Sequence, residues 1–253
     1  MTEFRPADIF LSAFKNCVNH IIKSLPADTT TYASNAATTN AIQIIAAQMN
    51  GDFTRLQYVI EVLQARICVD SVWASGMAVK VYELLATSIN PNFSHPDPQM
   101  SVLKGAVLVR DQMIRACQTE FTKTMTAESG WSRGLIVFLG QMCTVGNITS
   151  TTPKIVLHVL DCMLASPKLT DGEHFDIFLD IMLRAGPFLD SLQGCPQLLT
   201  TRLQKLQECT KEMSITVGMA VYGVLQLREK GWQIEESGGV VYGGQQVDGF
   251  TFL

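Results

Sequence analysis

The sequence predicts an all-α protein, an α-solenoid of about five HEAT-type antiparallel helix hairpins forming a crescent. Three observations lead there. Apolar residues recur at i, i+3, i+4 and i+7 through most of the chain, the spacing that gathers them on one face of an α-helix. No segment alternates apolar and polar residues long enough for a strand, Val240-Val241-Tyr242 being the nearest approach. The periodic segments also arrive in pairs at intervals near ~40–47 residues, the rhythm of HEAT-type repeats. In such an array no hairpin buries its apolar stripe alone, and stacking creates one continuous core. The repeats are not alike in sequence, so rhythm rather than self-similarity carries the prediction.

The elements follow in order. Ala7 to Leu25 reads as the first helix, its apolar face carrying Ile9, Phe10, Ala13, Phe14, Cys17, Val18, Ile21, Ile22 and Leu25, with Asp8, Lys15, Asn19 and Lys23 on the far side. Pro26 ends it, because proline cannot continue the hydrogen-bond ladder. The polar, small-residue segment "ADTTTYASNAATTN" is expected to be a loop leading into a second helix over Ala41–Gln48. "FTRLQYVIEVLQARI" carries Leu56, Val59, Ile60, Leu63 and Ile67 on one stripe, and Asp70 or Ser71 can cap the next helix, Val72–Ser88. There Trp73, Met77, Val81, Leu84 and Leu85 share a side.

"NPNFSHPDP" marks a loop, and a long helix is expected from about Met100 to Met125. After the break at Glu128–Trp131 comes "RGLIVFLGQMCTVGNIT", too short to span a membrane. Leu135, Phe138, Leu139 and Met142 lie on one helical face, and Ile136, Val137 and Cys143 add apolar surface elsewhere, so this helix is covered on several sides. Gly140 admits a close neighbour, and Gly146-Asn147 supply a left-handed stop. Lys154–Leu164 is the next helix, halted by Ser166-Pro167. Thr170 with Glu173 reads as a capping box opening a helix to Asp190. Two more helices cover Gln197–Glu212 and Ile215–Glu229, with Gly231 and Trp232 after the last. Residues 233–253 are Gly-rich and aperiodic, a flexible or peptide-like end.

Composition narrows the function. The 253 residues are 47% hydrophobic and only 17% charged, against about 25% in ordinary globular chains. Such a chain hides apolar surface in its own core or against partners. A formal charge of −4 opposes a general phosphate-binding surface, which depends on Lys and Arg. Seven cysteines without a Cys-x-x-Cys pair read as reduced, buried thiols of a cytosolic protein. "MTEFRPAD" lacks the apolar core of a signal peptide. Phosphate-loop, dinucleotide, zincin and nucleophile-elbow motifs are all missing from the sequence. His158 and Cys162 are one helical turn apart, which reads as a packed pair, and His174 near Asp171 and Asp176 reads as a solvated helix start. The sequence therefore predicts no catalytic residue, metal, cofactor, small-molecule substrate or membrane span.

The candidates that remain are contact residues. Trp232 either caps the final hairpin or anchors a partner. Arg110, Arg115 and Lys123 recur along one long helix, either as a solvated face or as a ridge that meets an acidic surface. Phe250, Phe252 and Leu253 pack back, stay free, or serve as a short apolar peptide.

Three stretches resemble a known family. "LKGAVLVRDQMIRACQTEFTK" (Leu103–Lys123), "RGLIVFLGQM" (Arg133–Met142) and "LQLREKGW" (Leu225–Trp232) are similar to motifs of the middle domain of translation initiation factor 4G. "VFLGQM" is most like the form in the poly(A)-binding-protein-interacting, cap-binding-complex-dependent and histone stem-loop members. Arg55–Leu85 extends the likeness, which is best over 40–232 of a single domain, 1–232, followed by the tail 233–253.

The resemblance implies a non-enzymatic adaptor in translation or mRNA metabolism, cytoplasmic with room for a nuclear pool. Such an adaptor binds a DEAD-box RNA helicase of the initiation factor 4A type. It joins the helicase to poly(A)-binding protein, cap-binding or stem-loop-binding factors, with RNA a weaker partner. Arg115, Lys123, Arg228, Trp232, Phe250 and Phe252 are the contact residues expected. The middle-hairpin motifs around Cys117 and Phe138 would be mostly structural. Gln141 departs from the family's common Glu. The alternative is a structural HEAT-repeat subunit of a larger assembly without helicase binding.

Overall fold

Residues 6–27, 32–49, 51–126, 130–142, 151–211 and 213–233 are described by the computed structural model. Among them the chain is an all-α solenoid of ten helices in five consecutive pairs. The helices are α1 (Pro6–Ser24), α2 (Tyr32–Met49), α3 (Phe53–Val69), α4, α5 (Gly105–Thr126), α6 (Arg133–Met142), α7 (Thr151–Leu164), α8 (Gly172–Ser191), α9 (Cys195–Thr210) and α10 (Ile215–Glu229). Helix α4 is continuous but changes pitch, running Ser71–Trp73, a π-turn at Ala74–Ala78, then Val79–Ser88. The even-numbered helices form one unbroken layer, each packed on the next from α2 to α10. In the other layer α1 packs on α3 and α3 on α5, and α7 packs on α9.

The apolar stripes form the core as the periodicity requires. Leu56, Val59, Ile60, Leu63 and Ile67 are the buried residues of α3. Trp73, Met77, Val81 and Leu85 are buried in α4, and Leu84 lies half-buried at the edge. The Asp70 carboxylate accepts from the Trp73 N–H at 2.9 Å, so Asp70 is the cap that begins α4. In α1, Phe14, Val18, Ile22 and Leu25 are buried and Cys17 and Ile21 half-buried, whereas Phe10 and Ala13, expected on the apolar face, are exposed. Asn19 and Lys15 do not face solvent as expected, because Tyr58 of α3 lies beside them. The Asn19 amide donates to the Tyr58 hydroxyl, and the Lys15 ammonium sits 5.0 Å from the ring centroid.

Several boundaries differ from the sequence reading. Helix α2 begins at Tyr32 rather than near Ala41. Alanine is the best helix former, and the polar residues between the alanines find partners inside the helix. Thr38 is fully buried, and the Thr39 hydroxyl donates to the Asn35 carbonyl at 3.0 Å. Helix α5 begins at Gly105 rather than Met100, because the preceding segment bonds to the "NPNFSHPDP" loop instead. His95 N–H donates to Leu103 O at 3.1 Å and Gly105 N–H to Phe93 O at 2.8 Å. The N-cap of α8 is Asp171, whose carboxylate accepts from Glu173 N–H, and Thr170 closes a preceding 3-10 turn. The Gly146-Asn147 stop lies outside the described residues.

Helix α6 is the axis of the stack. Of its ten residues only Arg133 and Gln141 are not buried, so neighbours cover it all round. It packs against α3, α4 and α8. The fit depends on glycine. A Cβ on Gly134 would overlap the Ile67 carbonyl oxygen of α3, whereas one on Gly140 would rest 3.3 Å from Arg184 Cβ and 3.4 Å from Ile181 Cγ1. Gln141 donates its amide to the Ser75 carbonyl in the π-turn of α4. A glutamate, the commoner residue of the resembling family, offers no N–H for that carbonyl.

Two outcomes follow for stability. Gly134→Ala should destabilise the fold by about 1–3 kcal/mol or more, lowering the thermal midpoint by roughly 3–10 °C, while Gly140→Ala should stay near wild type. Gln141→Glu should cost about 0.5–1.5 kcal/mol for the loss of a part-buried hydrogen bond, read by urea unfolding at pH 7.

Candidate partner-binding surface

The final helix has an unusual composition. From Ser214 to Leu227 there is no charged residue. The Ser214 hydroxyl accepts from Val217 N–H and starts the helix. Val221 and Val224 of α10 are buried and Val217, Ala220, Leu225 and Leu227 pack half-buried against the core, while Ile215, Met219 and Tyr222 face outward. Ile215 is 83% exposed, Tyr222 63% and Met219 52%. At about 100° per residue these three lie within a narrow arc, and Gly218 and Gly223 flank them on either side. A Cβ on Gly218 or Gly223 would meet nothing within 4 Å. The face is an apolar ridge between two open notches at the end of the solenoid.

What holds α10 in place is a tight C-terminal turn. Trp232 N–H donates to Leu227 O at 2.8 Å and Gly231 N–H to Arg228 O at 2.9 Å, the Schellman pattern with Gly231 in the left-handed position. Gly231 has φ 66° and Trp232 φ 63°, and the second value is strained for a residue with a side chain. Side-chain bonds offset that strain. The Trp232 indole N–H donates to Asp190 Oδ2 at 2.8 Å, and its ring lies on Gly186 of α8, where a Cβ would meet ring carbon Cζ2 at 2.6 Å. Arg228 grips the same carboxylate with two bonds of 2.8 Å and also donates to Pro196 O at 2.9 Å. Asp190 and Arg228 together thus join α8, the start of α9 and the end of α10.

The expected contact residues therefore sit in different settings. Arg228 and Trp232 come together, both half-buried and both bonded within the chain; of the two readings of Trp232, the cap over the final hairpin is the one the geometry displays. Arg115 and Lys123 are exposed on α5 and each pairs with its own helix, Arg115 with Asp111 at 2.7 Å and Lys123 with Glu120 at 3.2 Å. Arg110 is half-buried and engages the Tyr82 hydroxyl, whose pKa is pushed up to about 12, chiefly by burial. The three cations do not form one ridge, because offsets of five and eight residues on a helix point them in different directions. Phe250 and Phe252 lie outside the described residues.

Other expectations change as well. His174 is not solvated. Its Nδ1 pairs with Asp171 Oδ2 at 3.0 Å, its Nε2 accepts from Trp131 N–H at 3.4 Å, and its ring meets the Trp131 ring edge-on at 4.9 Å. Sequence spacing hid this because Trp131 is 43 residues away. Among the described cysteines only Cys117 is buried, and Cys209 is exposed; helical faces at the rim of the stack leave thiols half-open. Burial pushes the Cys68 and Cys117 thiols up, which keeps them protonated. Cys143 lies outside the described residues. His158 Nε2 is 3.6 Å from Cys162 Sγ, a contact pair as expected. Among the described residues no group of three or more His, Cys, Asp or Glu side chains is placed to hold a metal, and no helix is long and apolar enough to cross a membrane.

A second exposed apolar spot lies at the α3–α4 corner, where Val69 is 84% and Val72 62% exposed around the capping Asp70. Neither this spot nor the α10 ridge was singled out from sequence. The signal for the ridge was present in the uncharged Ser214–Leu227 run with two glycines, which gives α10 no polar face to turn to solvent. Compared with protein-family models and with curated protein sequences, the chain matches none.

Removing the clamp has a specific signature. Arg228→Ala should cost about 1–3 kcal/mol, because it strips a charge-assisted, paired bond from the half-buried Asp190. Trp232→Ala should cost about 2–4 kcal/mol. Both act through Asp190, so a double-mutant cycle by urea unfolding should give a coupling of about 0.5 kcal/mol or more rather than simple addition.

Proposed function

We propose that this protein is a non-enzymatic adaptor that binds a DEAD-box RNA helicase of the initiation factor 4A type and links it to mRNA-bound factors. One observation supports the reading beyond the resemblance of its three motifs. Among the described residues the solenoid exposes apolar side chains on separate hairpins, among them Val69 and Val72, beside Asp70, on the second and the Ile215–Met219–Tyr222 ridge on the fifth. Helices pack about 8–10 Å apart, so three hairpin steps separate the surfaces by roughly 30 Å. A two-lobed helicase is biased between open and closed states only by a binder whose affinity differs for the two states. Two patches at a set separation on one stack would meet both lobes in one of those states, which supports the reading. The mRNA-bound partner belongs to the poly(A)-binding, cap-binding or stem-loop-binding class, and the setting is cytoplasmic with a nuclear pool.

Such a protein, mixed with an initiation factor 4A-type helicase, should associate with it and change its RNA-stimulated ATPase rate. Val69→Asp/Val72→Asp and Met219→Asp/Tyr222→Asp should each weaken association by ~10-fold or more, since buried apolar anchors carry most interface energy. No association and no rate change by the wild type, with active helicase, sinks the reading. The uncovered ridge at the solenoid's end also favours a second reading, a structural subunit of a larger assembly. That reading predicts a stoichiometric, salt-stable partner on affinity purification and no DEAD-box protein.

A further inference from the structure

Glycine inside a helix is costly, by about 0.5–1 kcal/mol relative to alanine, and in this fold it marks where another element comes close. A Cβ on Gly76 would lie 2.6 Å from Ala27 O, on Gly134 it would overlap Ile67 O, on Gly140 it would touch α8, and on Gly186 it would overlap the Trp232 ring. Gly218 and Gly223, both inside α10, are the exceptions among the described helix-interior glycines, with nothing within 4 Å. They flank the exposed Ile215, Met219 and Tyr222.

We infer that α10 is the seat of one further α-helix, supplied by a partner protein, whose backbone approaches at Gly218 and Gly223 while its apolar side chains straddle the Ile215–Met219–Tyr222 ridge. The inference rests on the reading of α10 as a partner surface and names what sits there. Three observations select the occupant. The ridge continues the even-numbered layer, in which every helix from α2 to α8 is covered by the next, so a helix is the element that fits. Every other described helix-interior glycine receives a neighbouring element, and the two in α10 stand open for one. The uncharged run from Ser214 to Leu227 gives charged side chains nothing to pair with, so the facing stripe is neutral and apolar.

Two other occupants fit worse. Helix α10 is about 22 Å long at roughly 1.5 Å per residue, and a strip about 10 Å wide along it offers on the order of 200–300 Å². That suits one docked helix and falls well short of the ~800 Å² per partner of a standard interface, which disfavours a second copy held by this face alone. Residues 234–253 carry five glycines, Gly238, Gly239, Gly243, Gly244 and Gly249, a composition that opposes helix formation.

The test uses the full chain and a fluorescent synthetic helix with Leu and Ala at i, i+3, i+4 and i+7 and neutral Gln elsewhere, beside a scrambled control. Anisotropy should show ~10-fold or tighter binding of the amphipathic form, and hydrogen exchange should slow over residues 215–223. Gly218→Ala/Gly223→Ala should raise the thermal midpoint yet weaken peptide binding by ~10-fold, a pair of changes that a merely destabilised protein does not show. Equal binding by the double variant, or protection elsewhere on the chain, overturns the inference. So does peptide binding that requires prior deletion of residues 234–253, which makes the chain's own tail the occupant. A dimer in sedimentation that Met219→Asp dissociates makes a second copy the occupant and overturns it equally. Helicase association is measured on the same variants, so loss of peptide binding with helicase binding intact, or the reverse, tells the two readings apart.

Discussion

The stack depends on one close approach, the backbone of Gly134 against the carbonyl of Ile67. A helix covered on all sides needs neighbours at short range, and the absence of a side chain at this point lets α6 come within backbone distance of the end of α3. The last carbonyls of a helix have no partner within it, and α6 supplies one, because Ser132 Oγ donates to Cys68 O at 3.0 Å. The same hydroxyl accepts from Leu135 N–H at 3.3 Å, so one side chain ends α3 and begins α6. At its other end α6 satisfies the π-turn of α4 through Gln141. Both layers of the solenoid are thereby referenced to a single helix.

Arginines perform the corresponding task at the two ends. Arg66 donates to the carbonyls of Ile22 and Leu25 at the end of α1 and lies 4.3 Å from the centroid of the buried Trp73 ring. It ties the first hairpin to the second by satisfying orphan carbonyls and by resting a cation on an aromatic face. Arg228 joins the last hairpin to α8 through Asp190. Both side chains are mostly shielded and use their planar fork for several bonds at once. The conspicuous charged and aromatic residues at the ends are thus consumed by the architecture. The apolar residues of α10 and of the α3–α4 corner that stay exposed lie outside that framework.

That division explains why the candidate site was harder to read than the fold. Leu56 through Ile67 announce their face by spacing alone, since a helix's periodicity is a local property of the chain. Arg228 and Trp232 stood out in the sequence because rare, large side chains attract notice, yet their partners Asp190 and Gly186 lie about forty residues away. The α10 ridge drew no attention, because a run such as "ITVGMAVYGVLQL" looks like a buried helix until its neighbours are counted. Exposure is a property of the stack's end.

By itself the sequence determined the helical class, the pairing rhythm and the stripes that α3 and α4 bury, and narrowed the cap of α4 to Asp70 or Ser71, all consequences of residues within a few turns of one another. Only the tertiary structure decided that the Ala- and Thr-rich segment before Ala41 is helical and that His174 is held by Asp171 and Trp131. It alone decided which glycines are filled and which stand open. Those outcomes depend on which distant backbone arrives at a given point, and a side chain's environment in a stacked array is set by the neighbouring repeat.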